Sequence, residues 1–290
     1  MKNYKRAMLV SLGMLLMAYP AGISFAKKPR KASQPPATAK ATPSNPNDPG
    51  GHSARGVEAA KQRDYETAIA EFSKAIEAKP GDAKNYFNRG TAYRGANKLN
   101  EALADFSKAI ELAPQDVAAY VGRGEVLLIQ KQLDAALADF DKALQIAPKD
   151  VSARRFRGFV FISKGEWEKA IAEYDTVIKS VPNDAAPYER RAFAYRNLKK
   201  FKEALADYTK VIAIDPADPD GYRHRAYVYA VTGDTQKAAA DYRAVLKMKP
   251  DDADAQSRLK ALEARPNSSP TPVTKPGVSP AMTSPATSPR

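Results

Sequence analysis

Six prolines, Pro80, Pro114, Pro148, Pro182, Pro216 and Pro250, follow one another at intervals of 34 residues. A fixed period of this size marks a stacked repeat, because each unit is one supersecondary element that buries its apolar face only against its neighbours. The register runs from residue 49 to residue 252 as six copies without insertion or deletion, so other columns can be read straight down the stack. Two residues after each Pro stands an Asp: Asp82, Asp116, Asp150, Asp184, Asp218 and Asp252. Alanine fills another column (Ala68, Ala102, Ala136, Ala170, Ala204, Ala238), and four residues on comes an aromatic: Phe72, Phe106, Phe140, Tyr174, Tyr208, Tyr242. A spacing of four puts both on one helical face.

Within each copy, apolar residues recur at intervals of three and four in two blocks, which predicts two short amphipathic helices joined by a tight turn. In the second copy these run roughly from Ala83 to Gly95 and from Leu99 to Leu112. The Pro ends the second helix, because the residue before a proline is pushed out of the helical region. The Asp that follows is suited to cap the next helix by accepting from its first-turn amides, a contact of about 1 kcal/mol. A further column is small: Gly56, Gly90, Gly124, Gly158, Ala192 and Ala226. It leaves room on the first helix for a bulky residue of the second. One hairpin cannot cover both its faces, so the copies must stack into one continuous core.

These columns resemble the tetratricopeptide repeat. That pattern asks for aromatics at positions 4, 11 and 24, a small residue at 8, Ala at 20 and 27, and Pro at 32. Tyr86, Tyr120, Tyr188 and Tyr222 match position 4; Tyr93, Phe161, Tyr195 and Tyr229 match 11; Ala75, Ala109 and Ala143 match 27. The resemblance implies an all-α, right-handed superhelical solenoid of six helix-turn-helix repeats, 49–82, 83–116, 117–150, 151–184, 185–218 and 219–252. Residues 253–265, with Leu259 and Leu262 on one face, are expected to form a helix that caps the open end.

One column departs from the family. Position 7, normally apolar, is Arg throughout (Arg55, Arg89, Arg123, Arg157, Arg191, Arg225), and position 23 is always acidic (Glu71, Asp105, Asp139, Glu173, Asp207, Asp241). Two readings are open: an ion pair inside each hairpin, or a ladder of arginines facing a ligand.

Residues 1–26 have the form of a secretory signal. Lys2, Lys5 and Arg6 precede an apolar run from Ala7 to Tyr19, and Ser24 and Ala26 supply small residues for cleavage after Ala26. The run falls short of the roughly 20 residues needed to span a bilayer. An exported chain, periplasmic or extracellular, is expected. There is no cysteine, which excludes disulfides and a lipidated cysteine. Residues 27–48, basic and rich in Pro, Ala and Lys, and residues 266–290, rich in Pro, Ser and Thr, lack apolar periodicity and are expected to be disordered.

The net charge of +13 divides into +3 in residues 1–26, +4 in 27–48, +3 in 264–290 and +3 in all the rest. Basicity therefore belongs largely to the ends, where weak contact with anionic membrane or polysaccharide is expected. Nucleic acid is not an expected partner of an exported chain.

The resemblance implies that the first helix of each repeat lines a concave face that holds a partner peptide. Of the family's groove positions, repeats 4 to 6 carry the richest set: Arg155, Phe159, Arg190, Phe193, Arg196, Arg223 and Tyr227. Arg and aromatic side chains together favour binding, because they cover much area and can still satisfy a carboxylate. The aromatics among them, all at position 9, equally suit packing between repeats. Some relatives clamp a chaperone's terminal carboxylate with Lys and Asn side chains. Lys84 and Asn88 fit part of that pattern, but Val121, Gly122 and Glu125 break it.

Catalysis is not expected. The two histidines, His52 and His224, lie far apart in sequence, and the carboxylates fall in capping and pairing columns that account for them. No metal or cofactor is expected. These readings point to a non-catalytic protein-binding scaffold of the cell envelope that takes a protein or peptide segment, an acidic one being the favoured case. The alternative is an accessory protein that binds an acidic envelope polysaccharide during assembly or export.

Overall fold

The computed structural model divides into two units, Met1–Ser44 and Asn45–Arg290, and describes residues 49–264. The signal-like segment, the basic linker and the Pro/Ser/Thr tail lie outside the described residues. The described helices all belong to the second unit.

Thirteen helices and no strand make up the described residues. The first helices of the six hairpins are α1 (Pro49–Lys61), α3 (Ala83–Gly95), α5 (Val117–Ile129), α7 (Val151–Lys164), α9 (Ala185–Asn197) and α11 (Pro219–Val231). The second helices are α2 (Tyr65–Ala78), α4 (Leu99–Leu112), α6 (Leu133–Ile146), α8 (Trp167–Ser180), α10 (Phe201–Ile214) and α12 (Thr235–Met248). A final helix, α13 (Ala253–Glu263), packs on α12.

Each Asp after a repeat proline caps the helix behind it. Asp82 accepts from the amide of Lys84, Asp116 from Ala118, Asp150 from Ala153, Asp184 from Ala186, Asp218 from Asp220 and Asp252 from Ala255. Inside every hairpin, the residue at position 15 turns the chain with a positive φ. Gly165 and Gly233 do so without steric penalty, whereas Arg63, Asn97, Lys131 and Lys199 hold φ near 60° despite carrying a β-carbon.

The Ala column and the aromatic column form the core, all twelve side chains being buried. The small column works as a socket for the aromatic. A β-carbon added at Gly56 would stand 2.7 Å from the Phe72 ring, and one at Gly124 2.7 Å from Phe140. Phe106 is gripped from two sides, by Gly90 of its own hairpin and by Gly122 of the next. Odd-numbered helices of successive repeats touch (α1 with α3, α3 with α5, α5 with α7, α7 with α9), and no even-numbered pair does so to that extent. The odd helices therefore form the inner, concave wall of a curved stack.

The arginine column proves to be an ion-pair ladder within hairpins. Arg89, Arg123, Arg191 and Arg225 each place Nε and Nη2 on the two oxygens of Asp105, Asp139, Asp207 and Asp241, at 2.7 to 2.8 Å. Such forked pairing matches a planar guanidinium to a planar carboxylate. Arg55 and Arg157 meet the longer Glu71 and Glu173 through one nitrogen each. Tyrosines at positions 4 and 11 cover the guanidiniums of Arg89, Arg191 and Arg225, as Tyr86 and Tyr93 do for Arg89 at 5.8 and 5.7 Å, and Tyr120 alone covers Arg123. The fork's remaining nitrogen reaches back to the preceding repeat: Arg89 to Ser73, Arg123 to Ser107, Arg157 to Asp141, Arg191 to Asp175 and Arg225 to Thr209. The ladder thus joins repeats as well as helices.

Candidate interaction surface

The seven concave residues singled out from the sequence sort into three kinds. Arg155 and Arg223, both at position 5, close on Asp184 and Asp252, the cap carboxylates of α9 and α13, and Arg223 also takes Asp220. These two half-buried guanidiniums are held by carboxylates of their own chain. Phe159, Phe193 and Tyr227, at position 9, are half-buried platforms. Arg190 lies over the Phe159 ring at 5.3 Å, and Arg196 lies between Phe193 at 4.8 Å and Tyr227 at 5.0 Å. Neither Arg190 nor Arg196 makes a salt bridge or side-chain hydrogen bond among the described residues. Their charge rests on aromatic faces, an interaction of about 0.5–2 kcal/mol that leaves the N–H edges able to take an anion.

The repeat itself shows what such an edge can accept. Arg94 stands at position 12 of the second repeat, as Arg196 does in the fifth. Thirty-one residues after Arg94 comes Glu125, and the two form a salt bridge across the concave wall. Thirty-one residues after Arg196 comes Tyr227, which offers a ring and no carboxylate. Burial pushes the Glu125 carboxyl above its ordinary value against the pull of Arg94.

Sequence reasoning did not single out two further features. Arg258 of α13 sits 5.7 Å from the Tyr227 ring. Continuing the 34-residue register past residue 252 would have placed it at position 6, the column of Arg190. Trp167 packs its edge on Phe193 at 5.9 Å. The second feature is a groove of about 770 Å³ in repeats 1 to 4, walled by Val57, Phe87, Val121 and Gly122 and flanked by Arg94 and Glu125. Asn88 lines the groove with an Nδ2 that is buried and has no hydrogen-bond partner.

Among the described residues no group of three or more His, Asp or Glu gathers as a metal site would, and no helix is long and apolar enough to cross a membrane. Sequence models described as tetratricopeptide repeat match residues 53–116, 87–151, 127–190 and 190–263, which together span the described stack. The chain belongs to the tetratricopeptide repeat family. The fold is that of a protein–protein interaction scaffold. Similar solved structures include YrrB, described as a tetratricopeptide repeat protein with an unusual peptide-binding site. It is 26% identical with a TM-score of 0.57, over 65% of this chain and 97% of that one. PilF of Pseudomonas aeruginosa is 15% identical with a TM-score of 0.64, over 73% of this chain and 97% of its own. MamA of Desulfovibrio magneticus RS-1 is 20% identical with a TM-score of 0.56, over 59% and 97%. The last two likenesses show the fold alone. No curated protein matches the sequence.

Proposed function

We propose that this chain is a non-catalytic scaffold, exported to the periplasm, that holds an acidic segment of a partner protein across the concave face of repeats 4 to 6. The observation that carries this reading is the contrast between two arginines at one register position. Arg94 is neutralised by Glu125 of its own chain, while Arg196, with Arg190 nearby on the same helix, sits on aromatic faces without a carboxylate among the described residues. A carboxylate supplied by a partner would complete at Arg196 what Glu125 completes at Arg94. The peptide-binding site ascribed to YrrB supports peptide as the ligand class. Export rests on the charged and apolar pattern of residues 1–26.

Fluorescence anisotropy with a labelled, short aspartate oligomer tests the site. Wild type should bind it, and Arg190→Ala with Arg196→Ala should weaken binding at least tenfold, as loss of about 1.4 kcal/mol or more per complex would. Unchanged affinity in the double variant would remove the assignment. Steep release with salt of a polyuronate, together with failure to hold any peptide, would favour the polysaccharide reading. Fractionation, with sequencing of the mature N-terminus for a start at Lys27, tests export.

A further inference from the structure

His224 occupies position 6 of the sixth repeat, in register with Arg190 before it and Arg258 after it. Its imidazole lies against the Tyr208 ring, with 5.5 Å between centroids, and its buried Nδ1 has no hydrogen-bond partner. The Oε1 of Glu189 stands 3.6 Å from that nitrogen, beyond hydrogen-bond reach. The charged groups that act on the ring come from two helices: Glu189, Arg190 and Arg196 on α9, and Asp220 and Arg223 on its own α11. The helix α10 adds Tyr208. Arg223 and Asp220 neutralise one another, and Arg223 also binds Asp252. The cations near His224 that lack a carboxylate among the described residues are therefore Arg190 and Arg196, the two assigned above to a partner's carboxylate.

This arrangement couples two events. Burial, and next the Arg196 guanidinium, hold the imidazole down at about 4, so the ring is neutral around pH 7 in the unliganded chain. A carboxylate arriving at Arg190 and Arg196 cancels the repulsion and brings negative charge to a ring with an unused nitrogen. We propose that His224 is a proton-linked sensor of the Arg190–Arg196 seat: an acidic ligand bound there draws one proton onto His224, so the scaffold grips acidic partners more tightly as the surroundings acidify. The inference rests on the acidic-segment reading of the concave face.

The sign follows from linkage. A group that holds its proton more tightly in the complex makes binding stronger as pH falls through its bound-state value, and the gain is complete once the free protein is protonated too. If the complex restores the ordinary value of 6.5, affinity rises about tenfold between roughly pH 7.5 and 5.5. Aspartate carboxyls, ionising near 3.9, stay charged across that window.

The test uses the labelled aspartate oligomer and the full chain at fixed ionic strength. Anisotropy should give about tenfold tighter binding at roughly pH 5.5 than at roughly pH 7.5 in wild type. In His224→Gln the ratio should fall to less than about twofold. The chain has two histidines, so proton NMR resolves the His224 imidazole by its absence from His224→Gln. Its midpoint should move up by more than about one unit when the oligomer is added. Without any ligand, Arg196→Ala should also raise it, a readout that does not depend on how the glutamine variant folds. Binding of equal strength at both pH values with an unmoved midpoint would sink the sensor and leave the acidic seat standing. Failure of the oligomer to bind at either pH would overturn both.

Discussion

Arg89→Met is the sharpest test of what the position-7 arginines do. Asp105 is 5% exposed and takes both its forked bonds from Arg89, at 2.7 and 2.8 Å. Removing the guanidinium leaves that carboxylate buried without its counter-ion, and also unties Ser73 of the first repeat. Stranding one member of a buried pair costs about 3–5 kcal/mol. The Arg89 side chain is 19% exposed, so water can reach part of the gap and the lower end, about 3 kcal/mol, is expected. Replacing both partners, Arg89→Met with Asp105→Leu, removes the stranded charge and should return stability to within about 1 kcal/mol of wild type. Urea unfolding followed by far-ultraviolet circular dichroism measures all three chains, with the double variant recovering about 2 kcal/mol of the single variant's loss. A double variant no more stable than the single one would refute the argument, because it would show the loss lies in packing and not in an unpaired charge.

Three further outcomes follow from the same geometry. Asn85 is 3% exposed with an Oδ1 that finds no partner, at a position held by Ala119, Ala153 and Ala255 in other turns of the register. Asn85→Ala should therefore raise the thermal midpoint, by about 1 kcal/mol of stability, and a lower midpoint would contradict this. Lys131 is exposed with φ of 60°; Lys131→Gly should stabilise by about 0.5–1 kcal/mol in urea titration, and a loss would show that its side chain contributes. Glu71 is held down to about 2: burial works against the charged form, but hydrogen bonds from Lys74, His52 and Arg55 outweigh it. A lowered carboxyl gives stability that is present above the ordinary 4.5 and lost as pH falls toward 2. Glu71→Gln should flatten that part of the acid-unfolding curve, and an unchanged curve would rule the group out.

The stack was legible because the columns that build it repeat. Pro, Asp, Ala, the aromatic and the small residue recur where physics demands them, and the fixed offset between Arg and acid offered the in-hairpin ladder as one of two readings. Features that vary from copy to copy were hidden. The backward reach of the ladder lands on Ser73, Ser107, Asp141, Asp175 and Thr209, which share a hydrogen-bonding edge but no single residue type. The left-handed turn falls on Arg63, Lys131 and Lys199 as well as on Asn97, and of these only Asn is a type that favours a positive φ. On the concave wall, the sequence named the Arg and aromatic residues of repeats 4 to 6. It did not show that Arg155 and Arg223 close on cap carboxylates, because position 5 holds Arg in only two copies. The groove of repeats 1 to 4 is lined by residues of different columns, among them Val57, Phe87, Val121 and Ser152, which no single column marks.

The backward reach of the arginines also sets where the protein parts under load. The seams between the third and fourth and between the fourth and fifth repeats are stitched by carboxylates, Asp141 and Asp175, while at the other three the arginine meets a neutral hydroxyl; Lys98 with Glu66 and Arg94 with Glu125 add ion pairs between the first and second and the second and third repeats. Opposite charges add a Coulomb attraction that a neutral hydroxyl does not supply. Drawn from its ends, such a spring should shed its last coil first and keep its centre, with most of the Arg–aromatic wall, until last.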